Sequence, residues 1–298
     1  MFPGSLRSCC GGIIMPTDKG DQQTVAGRFS AAAGTYNRHA IAQSSAASNL
    51  MKLLPRRHAV RSILEIGCGT GILTAKLAKR FPSAGIHAAD ISREMILEAK
   101  KRLVGSRTIK WIARDFRELR LKPGFDLITS SSSLHWITPL DRTFRKASRL
   151  LKKDGLLVFS MMAKGTLAEL HESRRRIAPA KKPTKQLPRV SDVLNNLKDA
   201  GLDVCFQSRK TYRATFKSAA NLLKSLHEQG VTGGHFASGS KQLNRGELER
   251  LVSYYDRHYK CPGGIVASYE VLYVAAKKTE KMLSRRVRSL PEPGQGDR

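Results

Sequence analysis

Cysteine is scarce and scattered in this sequence. The chain has an odd number of cysteines, with no C-x-x-C pair and no histidine cluster beside them: Cys9, Cys10, Cys68, Cys205 and Cys261. This pattern excludes a disulfide framework and a zinc site of the usual spacing. We therefore expect reduced thiols, a cytoplasmic protein and no bound metal.

Long hydrophobic runs are also missing. No apolar stretch approaches the length of a membrane span, and residues 1–20 lack the apolar core of a signal peptide. We interpret residues 1–20 as a disordered leader and residues 277–298 as a basic disordered tail. The chain of 298 residues is long enough for one large α/β domain, which we expect over residues 21–276.

Acidic residues are few. The chain has 24 Asp and Glu against 53 Lys and Arg, a formal net charge of +29. A charge of this size implies an acidic partner, which could be nucleic acid, a membrane surface or an acidic protein, or else basic tails without a partner. The apolar fraction of 41% is sufficient for a hydrophobic core.

A glycine-rich turn organises the chain at residues 63–71. A short apolar strand carries Glu65 and continues into Gly67, Gly69 and Gly71, after which a helix begins. This strand, turn and helix form a nucleotide-binding corner. The G-x-G-x-G spacing differs from the pyrophosphate-binding G-x-G-x-x-G, and the carboxylate of Glu65 suits a cation and would repel phosphate.

Two further acids follow later strands. Asp90 ends the next strand, where it can hold ribose hydroxyls, and Asp115 follows the third strand, near the expected adenine amino group. S-adenosylmethionine carries a sulfonium and an ammonium and no phosphate, so it fits an acid-lined pocket. The predicted cofactor-binding residues are Glu65, Gly67, Cys68, Gly69, Gly71, Asp90, Ile91, Met95, Asp115, Phe116 and Ser131.

Strand and helix patterns alternate along the chain. They predict an α/β, Rossmann-like fold with a mostly parallel seven-stranded sheet, helices on both faces and a helical cap. The predicted strands are 62–66, 85–90, 108–113, 125–130, 156–161, one within 203–215, and 269–275. Cap elements are expected at about 21–54 and 164–258. Thr138 and Pro139 are predicted to start one helix, and Asn244 with Glu247 to form a capping box at another.

These motifs resemble a class I S-adenosylmethionine-dependent methyltransferase. Over most of its length, the chain is similar to the malonyl-[acyl-carrier protein] O-methyltransferase family of biotin synthesis. The matching stretches are 27–36, 64–71, 133–136, 164–171, 225–232, 243–245 and the final strand with Tyr269. The basic segment 174–189 departs from the usual pattern of that family.

The resemblance implies methylation of the free carboxylate of a malonyl thioester on an acidic acyl-carrier protein. Donors to that carboxylate would be Tyr36, Arg28 and His135, although His135 could equally just shape the pocket wall. The docking candidates for the carrier protein are Arg174, Arg175, Arg176, Lys181 and Lys182; a solvated basic loop is the alternative for each.

The sequence motifs are also compatible with other functions. The turn Ser133–Trp136 also resembles an assembly factor of respiratory complex I that hydroxylates a protein arginine, and carboxyl methyltransferases of small acids such as aconitate. An RNA methyltransferase is disfavoured, because the segment after strand four lacks an Asp/Asn-Pro-Pro-aromatic turn and Cys261 precedes rather than follows its proline. A silent binding module is disfavoured by the intact acids and glycines.

Overall fold

A computed structural model describes residues 18–39, 41–55, 60–106, 108–181, 186–231 and 243–279. Most of the predicted leader and tail, residues 1–17 and 280–298, lie outside these ranges. The first described helix begins at Asp18 and the last strand ends at Lys278, so each overlaps a predicted terminal segment by a few residues.

One sheet in the described residues has the strand order β3-β2-β1-β4-β5-β8-β6, with β7 paired to β8 alone. The strands are β1 Ser62–Ile66, β2 Gly85–Asp90, β3 Ile109–Ala113, β4 Phe125–Ser131, β5 Leu151–Met162, β6 Leu202–Phe216, β7 Lys260–Cys261 and β8 Gly264–Lys278. The first five strands are parallel, and β8 runs antiparallel between β5 and β6. The predicted fold class is confirmed; the strand beyond the seven expected is the two-residue β7.

Helices connect and cover these strands. They are α1 Asp18–Ala32, α2 Tyr36–His39, α3 Ile41–Leu50, α4 Ile72–Arg80, α5 Arg93–Arg102, α6 Leu140–Leu150, α7 Ala168–Ile177, α8 Val190–Asp199, α9 Ala219–Glu228 and α10 Arg245–His258. Alternate strand residues face opposite sides of the sheet. Ile63 and Leu127 accordingly belong to one buried cluster and Leu64 and Ile128 to another, which gives the domain a core on each face.

Local capping differs from expectation at one helix and agrees at another. Pro139 occupies the cap position before α6 in an extended conformation, so the helix begins one residue later than predicted and Thr138 does not cap it. The capping box of Asn244 and Glu247 at α10 is confirmed, with both reciprocal hydrogen bonds present.

Strand lengths were predicted less well than strand positions. β5 begins at Leu151, directly after α6, so that Lys152 to Gly155 belong to the strand, at an irregularity in its pairing with β4, rather than closing the helix as a loop. β8 has 15 residues, which extend well beyond 269–275, because it is hydrogen-bonded to β6 along nearly its whole length. No helix in the described part of the chain is long and apolar enough to cross a membrane.

Candidate active site

The glycine turn after β1 has a backbone conformation that favours glycine. Gly67, Gly69 and Gly71 all have left-handed φ angles, of 69°, 52° and 80°. The backbone N–H groups of Gly67 and Cys68 donate to the carbonyl of Ala89, which ties the turn to the end of β2. A Cβ on Gly67 would lie 1.8 Å from the Ser133 Oγ, whereas a Cβ on Gly69 would meet no atom within 4 Å.

An open cleft of about 680 Å³ lies beyond the carboxyl ends of β1 to β4. Eight of the predicted cofactor-binding residues line it: Gly67, Gly69, Asp90, Ile91, Met95, Asp115, Phe116 and Ser131. Val25, Phe29 and Tyr36 cover it from the first two helices. We call this space the first cavity.

The other three predicted residues lie just behind the cleft rather than on its wall. Glu65 and Cys68 are buried beside the turn. Gly71 precedes α4, and a Cβ there would lie 3.1 Å from the Cβ of Ala99, so this glycine allows α4 and α5 to pack closely.

Asp90 holds the glycine turn in place. Its Oδ2 accepts a hydrogen bond from the Gly69 N–H at 2.8 Å, and its Oδ1 accepts one from the Ser92 N–H at 2.9 Å. Burial raises the pKa of the Asp90 carboxyl, while these two donors oppose the rise. Asp115 is paired with the Arg117 guanidinium at 2.9 Å at the far side of the cleft.

Glu65 is a buried acid whose carboxyl group is not fully hydrogen-bonded within the described residues. Its side chain is only 1% exposed, and its Oε2 has no hydrogen-bond partner among the described residues. Burial raises the pKa of this carboxyl to about 8; the neighbouring Thr74 hydroxyl opposes the rise and the Asp90 carboxylate adds to it. A bound cation nearby would favour the ionised form, so the site fits a cationic ligand such as a sulfonium.

A second open space, of about 390 Å³ with the solvent at its mouth included, adjoins the first, and we call it the second cavity. Phe29, Tyr36, Ser132 and Trp136 line both spaces and form their common wall. The residues lining only the second cavity are Gln43, His135, Met162, Leu167, Leu226, Gln229, Val231 and Tyr269. The first cavity, which has charged residues in its lining, therefore adjoins a compartment whose described lining includes no Lys, Arg, Asp or Glu.

Two of the three residues predicted to contact the acceptor lie at this second cavity. Tyr36 stands on the common wall, and burial followed by the charge of Asp90 raises the pKa of its hydroxyl. His135 is 3% exposed, and its Nδ1 accepts a hydrogen bond from the Met162 N–H at 3.4 Å. Arg28 is absent from the described lining of both cavities; its carbonyl packs against Gly230 instead.

The covering helices are attached to α5, the glycine turn and the 3₁₀ turn Leu134–Trp136 by contacts that sequence patterns do not reveal. Ser30 of α1 donates to the Glu94 carboxylate at 2.6 Å, and the Thr70 hydroxyl donates to the Asn37 side chain at 2.6 Å. The Phe29 ring packs edge-on against Trp136, with centroids 5.5 Å apart. These contacts join segments far apart in the chain, so no local signal announces them.

The predicted docking cluster divides into two groups. The Arg174 guanidinium donates to the Lys181 carbonyl, and the Lys181 ammonium pairs with Glu247 at 2.7 Å, so the two contacts together link α7 to α10 through the 3₁₀ turn Pro179–Lys181. Arg175 and Arg176 are exposed, and Arg175 pairs with Glu172 of its own helix. Lys182 lies outside the described residues.

Comparisons with known proteins identify the family. Residues 63–155 match the family model for a methyltransferase domain. A malonyl-[acyl-carrier protein] O-methyltransferase of Bacillus cereus is 30% identical over 264 residues, which cover 85% of this chain and 96% of the relative. The chain belongs to the malonyl-[acyl-carrier protein] O-methyltransferase family. A relative from Ilyobacter polytropus, named malonyl-[acyl-carrier protein] O-methyltransferase 2, is 28% identical and spans 87% of this chain and 98% of its own.

Solved structures share the fold. A putative methyltransferase from Bacillus halodurans has a TM-score of 0.58 at 13% identity and covers 78% of this chain and 99% of its own. The YcgJ protein of Bacillus subtilis has a TM-score of 0.56 at 14% identity and covers 79% of this chain and 99% of its own. The predicted fold and family are thus confirmed, and membership of a methyltransferase family confirms S-adenosylmethionine as the cofactor.

Proposed function

We propose that the protein methylates the free carboxylate of a malonyl thioester carried on an acyl-carrier protein, an early step of biotin synthesis. Malonyl-[acyl-carrier protein] is the substrate named for its relatives. The observation that carries the proposal is the pair of adjoining cavities, one lined by Asp90 and Asp115 together with Arg114, and the other without Lys, Arg, Asp or Glu in its described lining. A cationic methyl donor in the first cavity and an anionic acceptor in the second would thus come into contact beside the residues that line both cavities.

The reaction makes modest demands on the protein. S-adenosylmethionine supplies the methyl group when it is bound. The acceptor carboxylate is already ionised at pH 7, since such groups have pKa values of about 4, and no general base is needed. The residues of the common wall therefore have to align the carboxylate and exclude water from it.

We propose that the first cavity holds the cofactor through the residues predicted for it. Gly67 and Gly69 allow close approach to the backbone, Asp90 is placed for the ribose and Asp115 for the adenine, and Met95 and Phe116 supply apolar contacts. Glu65 contributes the negative charge behind the turn. The two cap elements, residues 21–54 and 164–258, would cover the acceptor. In agreement with this, Gln43 of the first element and Leu226 of the second line the second cavity.

Tyr36 is the donor that the geometry favours for the acceptor carboxylate. Its raised pKa keeps the hydroxyl protonated well above neutral pH, so that it remains a hydrogen-bond donor at working pH. His135, whose Nδ1 already accepts from the backbone, is the second candidate through its other ring nitrogen. Arg28 stays a prediction that a substitution has to test.

Tyr36→Phe is expected to lower kcat about 30-fold, because one hydrogen bond to a charged group in a water-poor site is worth about 2 kcal/mol. Cofactor affinity should change less than about threefold, since the ring and its packing on Phe29 are retained. Steady-state kinetics and titration calorimetry measure the two effects. An unchanged kcat would remove Tyr36 from the reaction.

The exposed part of the basic cluster supports docking of an acidic carrier protein. We expect Arg175→Glu combined with Arg176→Glu to raise KM for malonyl-[acyl-carrier protein] about tenfold, since both charges meet solvent on α7. The KM for a malonyl thioester of pantetheine should not change. Lys100→Glu with Arg102→Glu, an equal charge reversal on α5, serves as the control. If the two pairs raised KM equally, the cause would be the net charge of the protein and not a docking surface on α7.

The decisive test of the proposed function supplies the purified full-length protein with S-adenosylmethionine and one acceptor at a time. Mass spectrometry should find a methyl ester on malonyl-[acyl-carrier protein] and none on aconitate, and no hydroxylated arginine in a protein acceptor. The gene should also restore growth of a biotin-requiring strain that lacks this methyltransferase. Methylation of aconitate alone would favour the small-acid alternative. A cytoplasmic location, suggested by the scattered cysteines, belongs to the same proposal.

A further inference from the structure

The described lining of the second cavity combines apolar side chains with amides, hydroxyls and one imidazole. Its described lining includes no Lys, Arg, Asp or Glu; its polar members are Tyr36, Gln43, Ser132, His135, Gln229 and Tyr269. A guanidinium would bind an acceptor carboxylate tightly, but its positive charge would also make the carboxylate oxygen a weaker nucleophile toward the methyl group. Neutral donors orient the carboxylate and leave it nucleophilic.

Two glutamines in this cavity form a hydrogen-bonded pair. The Gln43 Nε2 donates to the Gln229 Oε1 at 3.0 Å, and the Gln229 Nε2 donates to the Ser225 Oγ at 3.2 Å. Gln229 is 3% exposed and Gln43 is half-buried. The chain of bonds sets which end of each amide is the donor. A primary amide carries two N–H groups, and these contacts use one on each glutamine.

The position of the pair relative to the common wall suggests what it binds. Tyr36 lines both cavities, while Gln43 and Gln229 line the second one only. The acceptor carboxylate has to meet the methyl group at the common wall. In a malonyl thioester the thioester carbonyl follows the carboxylate after one methylene, so a carboxylate at the common wall leaves this carbonyl within the second cavity, whose lining includes both glutamines.

We infer that Gln43 and Gln229 donate hydrogen bonds to the thioester carbonyl of the acceptor and thereby select a malonyl unit over longer dicarboxylic acyl groups. This assignment rests on the proposed function. An additional methylene moves the carbonyl away while the carboxylate stays at the common wall. The amide donors are then left without a partner, and a site with unpaired buried donors discriminates strongly.

The test compares two thioesters that differ by one methylene, malonyl-pantetheine and succinyl-pantetheine, with the full-length protein. The wild type should have a kcat/KM at least about tenfold higher for malonyl-pantetheine. Gln43→Leu and Gln229→Leu, each close in volume to the original, should lower that value about 30-fold. They should change the value for succinyl-pantetheine less than about threefold, so that the discrimination disappears. Gln207→Leu, a matched exchange at an exposed position of β6, should behave as the wild type.

Titration calorimetry with S-adenosylmethionine separates this result from a folding defect. If Gln229→Leu loses cofactor binding, the kinetics of Gln43→Leu test the assignment, because the Gln43 side chain is less buried and its replacement disturbs the fold less. Equal losses on both thioesters, unchanged kinetics, or loss of cofactor binding in both variants would overturn the assignment. A wild type that methylates neither malonyl-pantetheine nor malonyl-[acyl-carrier protein] would instead refute the proposed function, and the glutamine assignment would fall with it.

Discussion

Gly67→Ala is expected to lower the free energy of unfolding by about 3 kcal/mol and to abolish cofactor binding. The residue has a φ of 69°, and the added Cβ would lie 1.8 Å from the Oγ and 2.4 Å from the Cβ of Ser133. A rotation of the Ser133 side chain cannot relieve the second contact, so the backbone has to move. Ser133 precedes the 3₁₀ turn Leu134–Trp136, and its displacement would disturb the common wall of both cavities. Urea unfolding and titration calorimetry measure the two losses.

Gly69→Ala is the matched control for this prediction. It also places alanine at a positive φ, of 52°, but the new Cβ meets no atom within 4 Å. We expect a loss of only about 1 kcal/mol from the left-handed conformation. If the two variants were equally unstable, the conformation of the turn and not Ser133 would be responsible. The double variant Gly67→Ala with Ser133→Gly should recover most of the difference, because it removes the contacting atoms.

Glu65→Gln is expected to remove the pH dependence that this buried acid imposes on stability. Burial raises the Glu65 pKa from an ordinary 4.5 to about 8. Between these values the folded protein keeps the proton while the unfolded chain releases it, so the wild type loses stability as pH rises from about 4.5 to 8. At about 1.36 kcal/mol per pKa unit the loss is on the order of 4 kcal/mol. The glutamine lacks this ionisation, so its stability relative to the wild type should increase by that amount between pH 5 and pH 8.5.

Urea unfolding at the two pH values measures the difference, with Glu118→Gln at the exposed surface as the control. Saturating S-adenosylmethionine should reduce the pH dependence of the wild type, because a nearby cation favours the ionised carboxylate. The same pH slope in the wild type and in Glu65→Gln would mean that the buried carboxyl is already compensated by another group.

Strand positions could be predicted because they depend on local patterns. The ends of β1 and β2 agree with prediction at every residue, since each is an apolar run bounded by a turn. β8 was predicted too short because its outer residues pair with β6, about 50 to 76 positions away, and no local pattern encodes that partner. The basic cluster shows the same limit. Charge alone does not distinguish Lys181, which pairs with Glu247, from the exposed Arg176.

The sequence by itself indicated the cofactor, because the strand, the glycine turn and the acids Glu65 and Asp90 lie within one short stretch of chain. It indicated the fold class and the family because the alternating strands and helices and the matching stretches are each local patterns, read one after another along the chain. Tertiary structure decided which side chains face the acceptor. The common wall joins Phe29 and Tyr36 to Ser132 and Trp136, and the glutamine pair joins residues 186 positions apart. A cavity and its hydrogen bonds exist only when distant segments pack, so they are invisible to spacing and periodicity.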